Sequence, residues 1–582
     1  MIKYIIANSN KLSSMKQIIE QAIKKVLKEL KLPEVKFTVE HPENMAWGDY
    51  STNVGIVINS NKVAPSQSKG ATFKICAKLK AEESMKKLAS EIKVAGAGFI
   101  NISIQSECLI TLTNKLLKGN WEKPLKRSKI MVEFTDPNPF KEFHIGHLFS
   151  NIVGESLARL FISQGAEVKR ACYQGDVGMH VAKAVWGMKK KNWATVIKKP
   201  LADRIKFMGQ AYALGATAYE DSSADGEAAK KEMEVLNQKI YELDESVKQL
   251  YETGRAWSLE YFETLYRRLG TKFDYYFFER EAGEIGLELV KEYLKKDVFV
   301  KSQGAVIFAG SKYGLHDRVF INQLGLPTYE AKDLGLALAK FEKYPYDQSV
   351  IVTGNEINEY FKVVLTALNK INPDLRRKTK HLGHGMVRLP EGKMSSRTGK
   401  VLTGEWLLDE AKQKIKTAFK SSEAVAEAVA VGAVKYALLK SGIGQDVVFD
   451  FDKSISFEGN SGPYLQYTHA RAKSVLAKAG KPEKGRTLFT DKVRPCHPEE
   501  EILLRTLYRY EEVVAAAAEE LAPNQIAEFL YDLAQKFNSF YNKHRVIGSG
   551  KAEPFRLWLT QATAEIIKQG LELLGISCPE KM

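Results

Sequence analysis

Residues 129–174 predict a strand, a helix and a second strand in immediate succession. KIMVEF (129–134) is a short apolar run, HIGHLFSNIVGESLARLFISQG (144–165) has apolar residues at helical spacing, and AEVKRACYQ (166–174) is strand-like again. Such a βαβ unit builds a parallel sheet, and ligands of these sheets bind outside the carboxyl ends of the strands. The loop TDPNPFKE (135–142) and the start of the helix would lie at that edge.

The remainder of the chain divides around this unit. At 582 residues it is too long for one core, so about three domains are expected. Residues 1–118 open with an amphipathic helix and continue with short strand-like runs such as STNVGIVI (51–58), which predicts a small α+β domain. Residues 119–455 form the parallel-sheet domain, with an all-helical insertion at about 190–270. Residues 456–582 predict an all-α bundle.

Composition and charge indicate a globular protein with a polyanionic partner. The 86 Lys and Arg exceed the 70 Asp and Glu, and the net charge of +16 favours nucleic acid. A merely basic soluble protein is the alternative. The first residues lack the long apolar core of a signal peptide, and nothing predicts a membrane span. The 5 cysteines lie far apart without zinc-site spacing, so we expect a reduced, cytoplasmic protein with no metal site.

Two histidines stand at the start of the predicted helix. The apolar stripe of the helix places His144 and His147 side by side on its flank. Unpaired backbone amides and the helix dipole favour an anion there, and imidazoles can add hydrogen bonds to phosphate oxygens. Gly146 leaves the backbone open to a flat base. These features fit a nucleotide; the alternative is that the histidines only cap the helix.

A second loop carries cations among small residues. GKMSSRTGK (392–400) places Lys393, Arg397 and Lys400 between glycines, serines and a threonine. A loop of this kind can clamp a triphosphate when it closes, although alone it could be an exposed basic turn. Taken together and in this order, His-Ile-Gly-His and Lys-Met-Ser-Ser-Arg resemble the signature pair of class I aminoacyl-tRNA synthetases.

That resemblance implies a Rossmann-like catalytic domain that uses ATP, with Mg²⁺ on the nucleotide, to form an aminoacyl adenylate. The positions that would bind ATP are His144, Gly146, His147, Lys393, Met394, Ser395, Ser396 and Arg397.

The signature loop departs from the family pattern, which has a lysine where Ser396 stands. Members with such a loop often carry a lysine just before the histidine motif, and Lys141 stands there. We therefore predict that Lys141 replaces the missing charge and acts in catalysis with His144, His147 and Lys393.

Two further stretches resemble the arginyl-tRNA synthetases within class I. They are EFTDPNPFKEFHIGH (133–147) and PTYEAKDLGLA (327–337). Tyr329 and Asp333 are four residues apart and share a helical face, where a ring and a carboxylate suit a guanidinium. Without the resemblance, they would more simply be a surface pair.

The resemblance assigns arginine-binding roles to individual residues. Asp333 and Glu133 would hold the cationic substrate, Tyr329 would close its pocket and Asn138 would meet its amino end. VTGNEINEYF (352–361) stands where many relatives have a glutamine-rich segment, and Glu356 or Asn358 would serve in place of the glutamine.

The resemblance also covers the two ends of the chain. HPENMAWGDYSTNVGIVI (41–58) resembles the N-terminal domain that contacts the outer corner of tRNA, and GPYLQYTHARAKSVL (462–476) resembles the anticodon-binding bundle. Tyr464, Tyr467 and Arg471 offer stacking surface and charge to unstacked bases. A core role for one of the tyrosines is equally open.

The implied function is arginine–tRNA ligase, with L-arginine, ATP and tRNA(Arg) as partners and a monomeric chain. Arginine's carboxylate would attack the α-phosphorus of ATP, and the adenylate would then pass to the 2′-OH of the terminal tRNA adenosine. Two alternatives stay open: a tRNA-binding protein that has lost its chemistry, as the altered signature loop suggests, and a synthetase for another amino acid.

Overall fold

A computed structural model describes residues 15–60, 70–121, 123–390, 402–419, 421–480, 495 and 497–582. The N-terminal part is an antiparallel sheet of order β1-β2-β4-β3 covered by helices. Its elements are α1 (Met15–Glu29), β1 (Val39–Glu40), β2 (Tyr50–Thr52), α2 (Val54–Ser60), α3 (Ala71–Ala81), α4 (Glu83–Leu88), β3 (Ala89–Ala95), β4 (Phe99–Ile104) and α5 (Ser106–Leu117).

The strand predicted for residues 51–58 is wrong beyond Thr52. From Val54 the chain forms α2, in which Val54 and Ile58, four residues apart, are both buried. A short run with apolar residues at most positions satisfies the spacing of a strand and of a helix, and packing against α3 decides between them here.

The middle part contains the predicted parallel sheet and its helical insertion. Its elements are β5 (Lys129–Glu133), α6 (Ile145–Ser163), β6 (Glu167–Gln174), α7 (Met179–Lys190), α8 (Leu201–Glu220), α9 (Ala224–Glu242), α10 (Glu245–Leu269), β7 (Tyr275–Phe278), α11 (Glu279–Leu294), β8 (Val300–Ser302), β9 (Ala305–Phe308), β10 (Arg318–Ile321), α12 (Tyr329–Lys343), β11 (Gln348–Gly354), α13 (Asn358–Ile371), α14 (Pro373–Lys378), β12 (Thr379–His384), β13 (Val387–Arg388), α15 (Gly404–Ala418), α16 (Glu423–Leu439), β14 (Val447–Val448) and α17 (Phe451–Ile455).

The central sheet has five parallel strands in the order β12-β11-β5-β6-β7. The chain runs from β5 outward through β6 to β7, and then returns to add β11 and β12 on the other side. The order therefore reverses between β5 and β11, and a crevice opens there at the carboxyl ends of the strands. The helix that follows β5, α6, is buried on nearly all sides because it packs between this sheet and the C-terminal helices.

The C-terminal part is helical, as predicted. It contains α18 (Gly462–Lys478), α19 (Pro498–Leu507), α20 (Tyr510–Glu520), α21 (Pro523–Lys543) and α22 (Glu553–Leu573). The carboxyl end of α22 is bonded directly to α6: Ser156 Oγ donates to Leu573 O at 3.0 Å, and Arg159 Nη1 donates to Glu572 O at 3.0 Å. The predicted fold class is confirmed.

None of the helices in the described part of the chain combines the length and apolar character that crossing a bilayer requires.

Candidate active site

A cavity of about 480 Å³ lies at the carboxyl ends of β5 and β11, where the strand order reverses. Residues singled out from widely separated stretches of the sequence meet there. Those that line the cavity are Asn138, His144, Gly146, His147 and Glu356.

His144 and His147 cap the first turn of α6 reciprocally. His144 Nδ1 accepts hydrogen bonds from the N–H groups of Gly146 (3.1 Å) and His147 (3.3 Å), and His147 Nδ1 accepts from the N–H of His144 (3.3 Å). The two rings stack with centroids 3.4 Å apart. The histidines therefore cap the helix, as one interpretation of the sequence held, and also line the cavity, as the other required.

These capping bonds decide which ring nitrogen carries the proton. A nitrogen that accepts an N–H bond carries no hydrogen itself, so the neutral rings of His144 and His147 hold their protons on Nε2. Burial, and then the charge of Lys141, lowers the pKa of His144 to about 4. Burial, and then His144, lowers the pKa of His147 well below its ordinary value. At neutral pH both rings are uncharged Nε2–H donors beside a helix N-terminus, a setting that suits phosphate oxygens.

The loop after β5 is held in an unusual backbone conformation. Thr135 and Asp136 have φ angles of 80° and 45°, and the left-handed region is rarely occupied by a β-branched residue such as threonine. Thr135 N–H donates to Ser150 Oγ (2.9 Å), Asn151 Nδ2 donates to Thr135 Oγ1 (2.9 Å), and Tyr173 N–H donates to Asp136 Oδ1 (2.8 Å). The neighbouring α6 and β6 thus fix the loop, which brings Asp136 to the cavity wall.

Glu133, at the end of β5, is buried and paired within the protein. Lys340 Nζ on α12 donates to Glu133 Oε2, and both side chains are buried. Lys332 pairs in the same way with Glu279 at 2.8 Å. Two carboxylates near the cavity are therefore balanced by lysines. The contact of Glu133 with arginine stays a prediction.

Asp333 lies four residues after Tyr329 on α12 and has a different environment. Tyr360 OH donates to Asp333 Oδ2 at 2.6 Å, and no lysine or arginine pairs with this carboxylate in the described part of the chain. Burial, together with the nearby Glu133, raises the pKa of Asp333 to about 7. A guanidinium would provide the cation that the ionised carboxylate lacks. The ring of Tyr329 is 57% exposed, so it is accessible for the predicted contact.

Lys141 lies on the loop just before α6 and is half-buried. Its ammonium is 5.8 Å from the ring centroid of Tyr212 on α8, and its charge contributes to the lowered pKa of both capping histidines. Of the two substitutes considered for the family's glutamine, Glu356 lines the cavity, whereas Asn358, the first residue of α13, is not among the residues that line it.

The second signature motif lies outside the described residues. This applies to Lys393, Met394, Ser395, Ser396 and Arg397. The described chain on both sides of the motif reaches the cavity, because Val387 and Leu402 line it. Ile145 N–H also donates to Leu402 O at 3.1 Å, which holds the chain after the motif against the start of α6.

A second cavity, of about 790 Å³, is lined by Tyr464, Tyr467 and Arg471 of α18. The Arg471 guanidinium lies 4.9 Å from the ring centroid of Tyr467 and donates to Asn538 Oδ1 at 2.7 Å. Tyr467 is 39% exposed, whereas Tyr464 packs on the core and accepts a hydrogen bond from Asn538 Nδ2. The ring of Tyr467 and the guanidinium of Arg471 are thus accessible to a ligand. Tyr464 contributes mainly to the packing of the bundle.

Several residues of the site were not found from the sequence. Asp136, Ser150 and His384 line the main cavity, and Tyr360 bonds to Asp333. The position of Asp136 in the loop after a predicted strand could have indicated that it lies at the ligand edge of the sheet. The sequence around Tyr360 gives no such indication. Within the described ranges, no group of three or more His, Cys, Asp or Glu side chains could hold a metal ion.

Three family profiles match successive parts of the chain. They are "Arginyl tRNA synthetase N terminal domain" (residues 13–104), "tRNA synthetases class I (R), catalytic domain" (residues 111–451) and "DALR anticodon binding domain" (residues 465–582).

Curated relatives match over most of their length. The arginine–tRNA ligase of Porphyromonas gingivalis is 31% identical over 518 residues, which cover 83% of this chain and 86% of that protein. The arginine–tRNA ligase of Treponema pallidum is 30% identical over 590 residues, or 96% and 98% of the two chains. The solved structure of Thermus thermophilus arginyl-tRNA synthetase matches with a TM-score of 0.78 at 24% identity, covering 98% of this chain and 100% of that one, which supports the fold.

Proposed function

The chain belongs to the arginyl-tRNA synthetase family, as its motifs predicted, and on that premise we propose the reaction that it carries out. It is an arginine–tRNA ligase, which activates L-arginine with ATP and transfers it to the terminal adenosine of tRNA(Arg). The observation that carries this function is the cavity between β5 and β11, which His144 and His147 at the start of α6 line together with the acidic residues Asp136 and Glu356.

We propose that ATP, entering as its Mg²⁺ complex, places its phosphates at the start of α6. The Nε2–H groups of His144 and His147 support this placement, because they are uncharged donors at the positive end of a helix whose first N–H groups are bonded to His144 Nδ1. Lys141 supplies a fixed charge nearby. Lys393 and Arg397 would close over the phosphates from the signature loop.

The arginine guanidinium is proposed to bind Asp333, with the ring of Tyr329 over it and Asn138 at the amino end. Asp333 suits this role because its ionised form has no internal cationic partner in the described chain, unlike Glu133, which has Lys340. Glu356, which lines the cavity, would also contact the substrate.

Catalysis then consists of positioning and neutralisation of charge. The arginine carboxylate attacks the α-phosphorus in line, the bond to pyrophosphate breaks, and donors already in place stabilise the charge that develops. The 2′-OH of the terminal adenosine next attacks the carbonyl carbon, and AMP leaves. No side chain of the protein needs to form a covalent intermediate.

Recognition of tRNA is proposed to use the ring of Tyr467, on which an unstacked base can stack, and the guanidinium of Arg471, 4.9 Å from the centroid of that ring. The net charge of +16 supports a polyanionic partner. We further propose a monomer in the cytoplasm, and the unpaired state of the described thiols Cys76, Cys108, Cys172 and Cys578 fits a reducing compartment.

An activity assay with purified protein tests the function directly. With ATP, Mg²⁺, tRNA(Arg) and one amino acid at a time, we expect pyrophosphate exchange and charged tRNA with arginine, and neither with lysine, glutamate or cysteine. Tight tRNA binding without either activity would favour a tRNA-binding protein that has lost its chemistry. Charging with a different amino acid would replace the proposed substrate.

A further inference from the structure

Two helices from distant parts of the chain end beside the same stretch of α6. They are α10, the last helix of the insertion, and α22, the last helix of the bundle. Arg159 of α6 donates to both ends, through Nη2 to Gly270 O at 3.1 Å and through Nη1 to Glu572 O at 3.0 Å. The carbonyl end of a helix carries a partial negative charge, so a guanidinium stabilises both ends.

A second cation joins the same two helix ends. Lys435 of α16 is buried, and its ammonium donates to Leu269 O at 2.6 Å and to Gly575 O at 2.5 Å. Gly575 suits this contact because its φ is 69° and a Cβ there would lie 3.0 Å from Lys435 Nζ. The bundle, the insertion and the catalytic domain therefore meet at two side chains.

A buried carboxylate, Glu155, lies among these cations. Arg159 Nε donates to Glu155 Oε1, and Arg170 Nε of β6 donates to Glu155 Oε2, each at 2.7 Å. Burial, and then the charge of Arg159, lowers the pKa of Lys435 to about 7, which indicates more positive charge than one carboxylate balances. The two helix ends offset the surplus. We call Glu155, Arg159, Arg170 and Lys435 the junction.

Hydrogen bonds connect the junction to the main cavity. Thr271 directly follows Gly270, and its Oγ1 donates to Asn151 Oδ1 at 2.9 Å. Asn151 Nδ2 in turn donates to Oγ1 of Thr135, which lines the cavity, at 2.9 Å. All three of these side chains are buried, so the end of α10 is held against the cavity wall.

The junction is connected in the same way to the second cavity, the proposed tRNA site on α18. Gln466 precedes Tyr467, and its Nε2 donates to Ser577 O at 2.7 Å, two residues after Gly575. The same amide donates to Ala428 O of α16 at 3.2 Å. The helix that carries Tyr467 is therefore bonded to both chain segments that Lys435 joins.

The relative placement of the two cavities matters for a ligand that reaches both. Once one end of such a ligand is bound, its other end binds at an effective concentration that depends on the distance and angle between the sites. Arg159 is 15 positions after His144, or about 22 Å along the axis of α6. The junction is thus well placed to fix this geometry without touching a substrate.

We propose that Arg159 and Lys435 are positioning residues, which hold the bundle where a tRNA bound to it places its terminal adenosine in the main cavity. This inference rests on the proposed function and extends it by two residues that bind the ends of helices rather than a substrate.

The test measures the binding of three RNAs to Arg159→Met. They are full-length tRNA(Arg), a minihelix that contains only its acceptor arm, and its isolated anticodon stem-loop. The variant removes both bonds to the helix ends, while Arg170 still pairs with Glu155, and the side chain of Arg159 is 31% exposed, so the fold should tolerate the change.

We expect the Kd of each fragment to be unchanged and the Kd of full-length tRNA to rise about tenfold, because only simultaneous binding depends on the junction. The kcat/KM for charging should fall by a similar factor, with the KM for arginine unchanged. Arg159→Lys keeps the cation and should recover most of the affinity. Arg376→Met is the matched control, since it removes a partly buried guanidinium bonded to Thr379 O at 3.2 Å within one domain, and it should change none of the three constants.

An equal loss of affinity for all three RNAs in Arg159→Met would indicate a merely structural residue and would overturn the proposal, as would an unchanged Kd for full-length tRNA. If this variant does not fold, Ser156→Ala, which removes the bond to Leu573 O, is measured in the same way with the same outcomes. A wild-type protein that binds none of the three RNAs would contradict the proposed function itself.

Discussion

Lowering the pH should weaken arginine binding through Asp333. This carboxylate has a pKa of about 7 because it is buried near Glu133, so below that pH it is largely protonated in the free protein. A guanidinium binds the ionised form and must displace the proton. The guanidinium of arginine stays charged throughout this range, so it adds no pH dependence of its own.

The magnitude follows from the ionised fraction of Asp333 in the free protein. With a pKa of about 7, that fraction is about nine-tenths near pH 8 and about one-tenth near pH 6. The dissociation constant of arginine should therefore rise about tenfold between these two values. Close to pH 7, binding should release about half a proton from Asp333, which calorimetry in buffers of different ionisation enthalpy can count.

Asp333→Asn is the matched control, because it keeps the shape of the side chain and removes the titration. We expect this variant to bind arginine more weakly by about 3 kcal/mol, or somewhat more than a hundredfold, and to lose most of the pH dependence. A wild-type affinity that is constant from pH 8 to pH 6, or a full slope retained in Asp333→Asn, would refute the reasoning.

Three further substitutions separate the proposed roles. His144→Ala should slow arginine activation about a hundredfold, because it removes a hydrogen-bond donor to phosphate. His144→Asp should restore the stability of the protein but not the rate, because aspartate is a good N-cap. Equal activation rates for both variants and the wild type would argue against phosphate binding. Lys141→Ala should slow pyrophosphate exchange about tenfold without changing tRNA affinity, and Lys141→Arg should keep most of the rate; normal exchange in the alanine variant would refute the charge substitution. Arg471→Ala should raise the KM for tRNA about tenfold and leave arginine binding unchanged, and an unchanged KM would move the base contact elsewhere.

The parts of the fold that could be predicted are those specified by local pattern. The apolar run of β5, the strand-like pattern of β6 and the helical spacing of α6 determine the βαβ unit without reference to distant residues. The position of the cavity could be predicted as well, because the carboxyl edge of a parallel sheet is known once its strands are. The strand predicted for residues 51–58 was wrong because their local pattern fits both the strand period and the helix period. A contact with a distant part of the chain decides in favour of the helix.

The partners of the site residues could not be predicted in this way. Glu133 and Lys340 are 207 positions apart, and nothing near either residue indicates that they pair. The resemblance assigned Glu133 to substrate binding, but in the structure Lys340 is bonded to its carboxylate. Asp136 was not singled out because its place at the cavity depends on a backbone conformation that α6 and β6 impose, and a sequence pattern does not reveal that conformation.

A crystal structure with a non-hydrolysable analogue of arginyl adenylate would test the central claim most directly. We expect its phosphate-like group at the start of α6, within hydrogen-bond distance of Nε2 of His144 or His147, and its guanidinium on the carboxylate of Asp333. An analogue bound away from these histidines, or with its guanidinium remote from Asp333, would contradict the account.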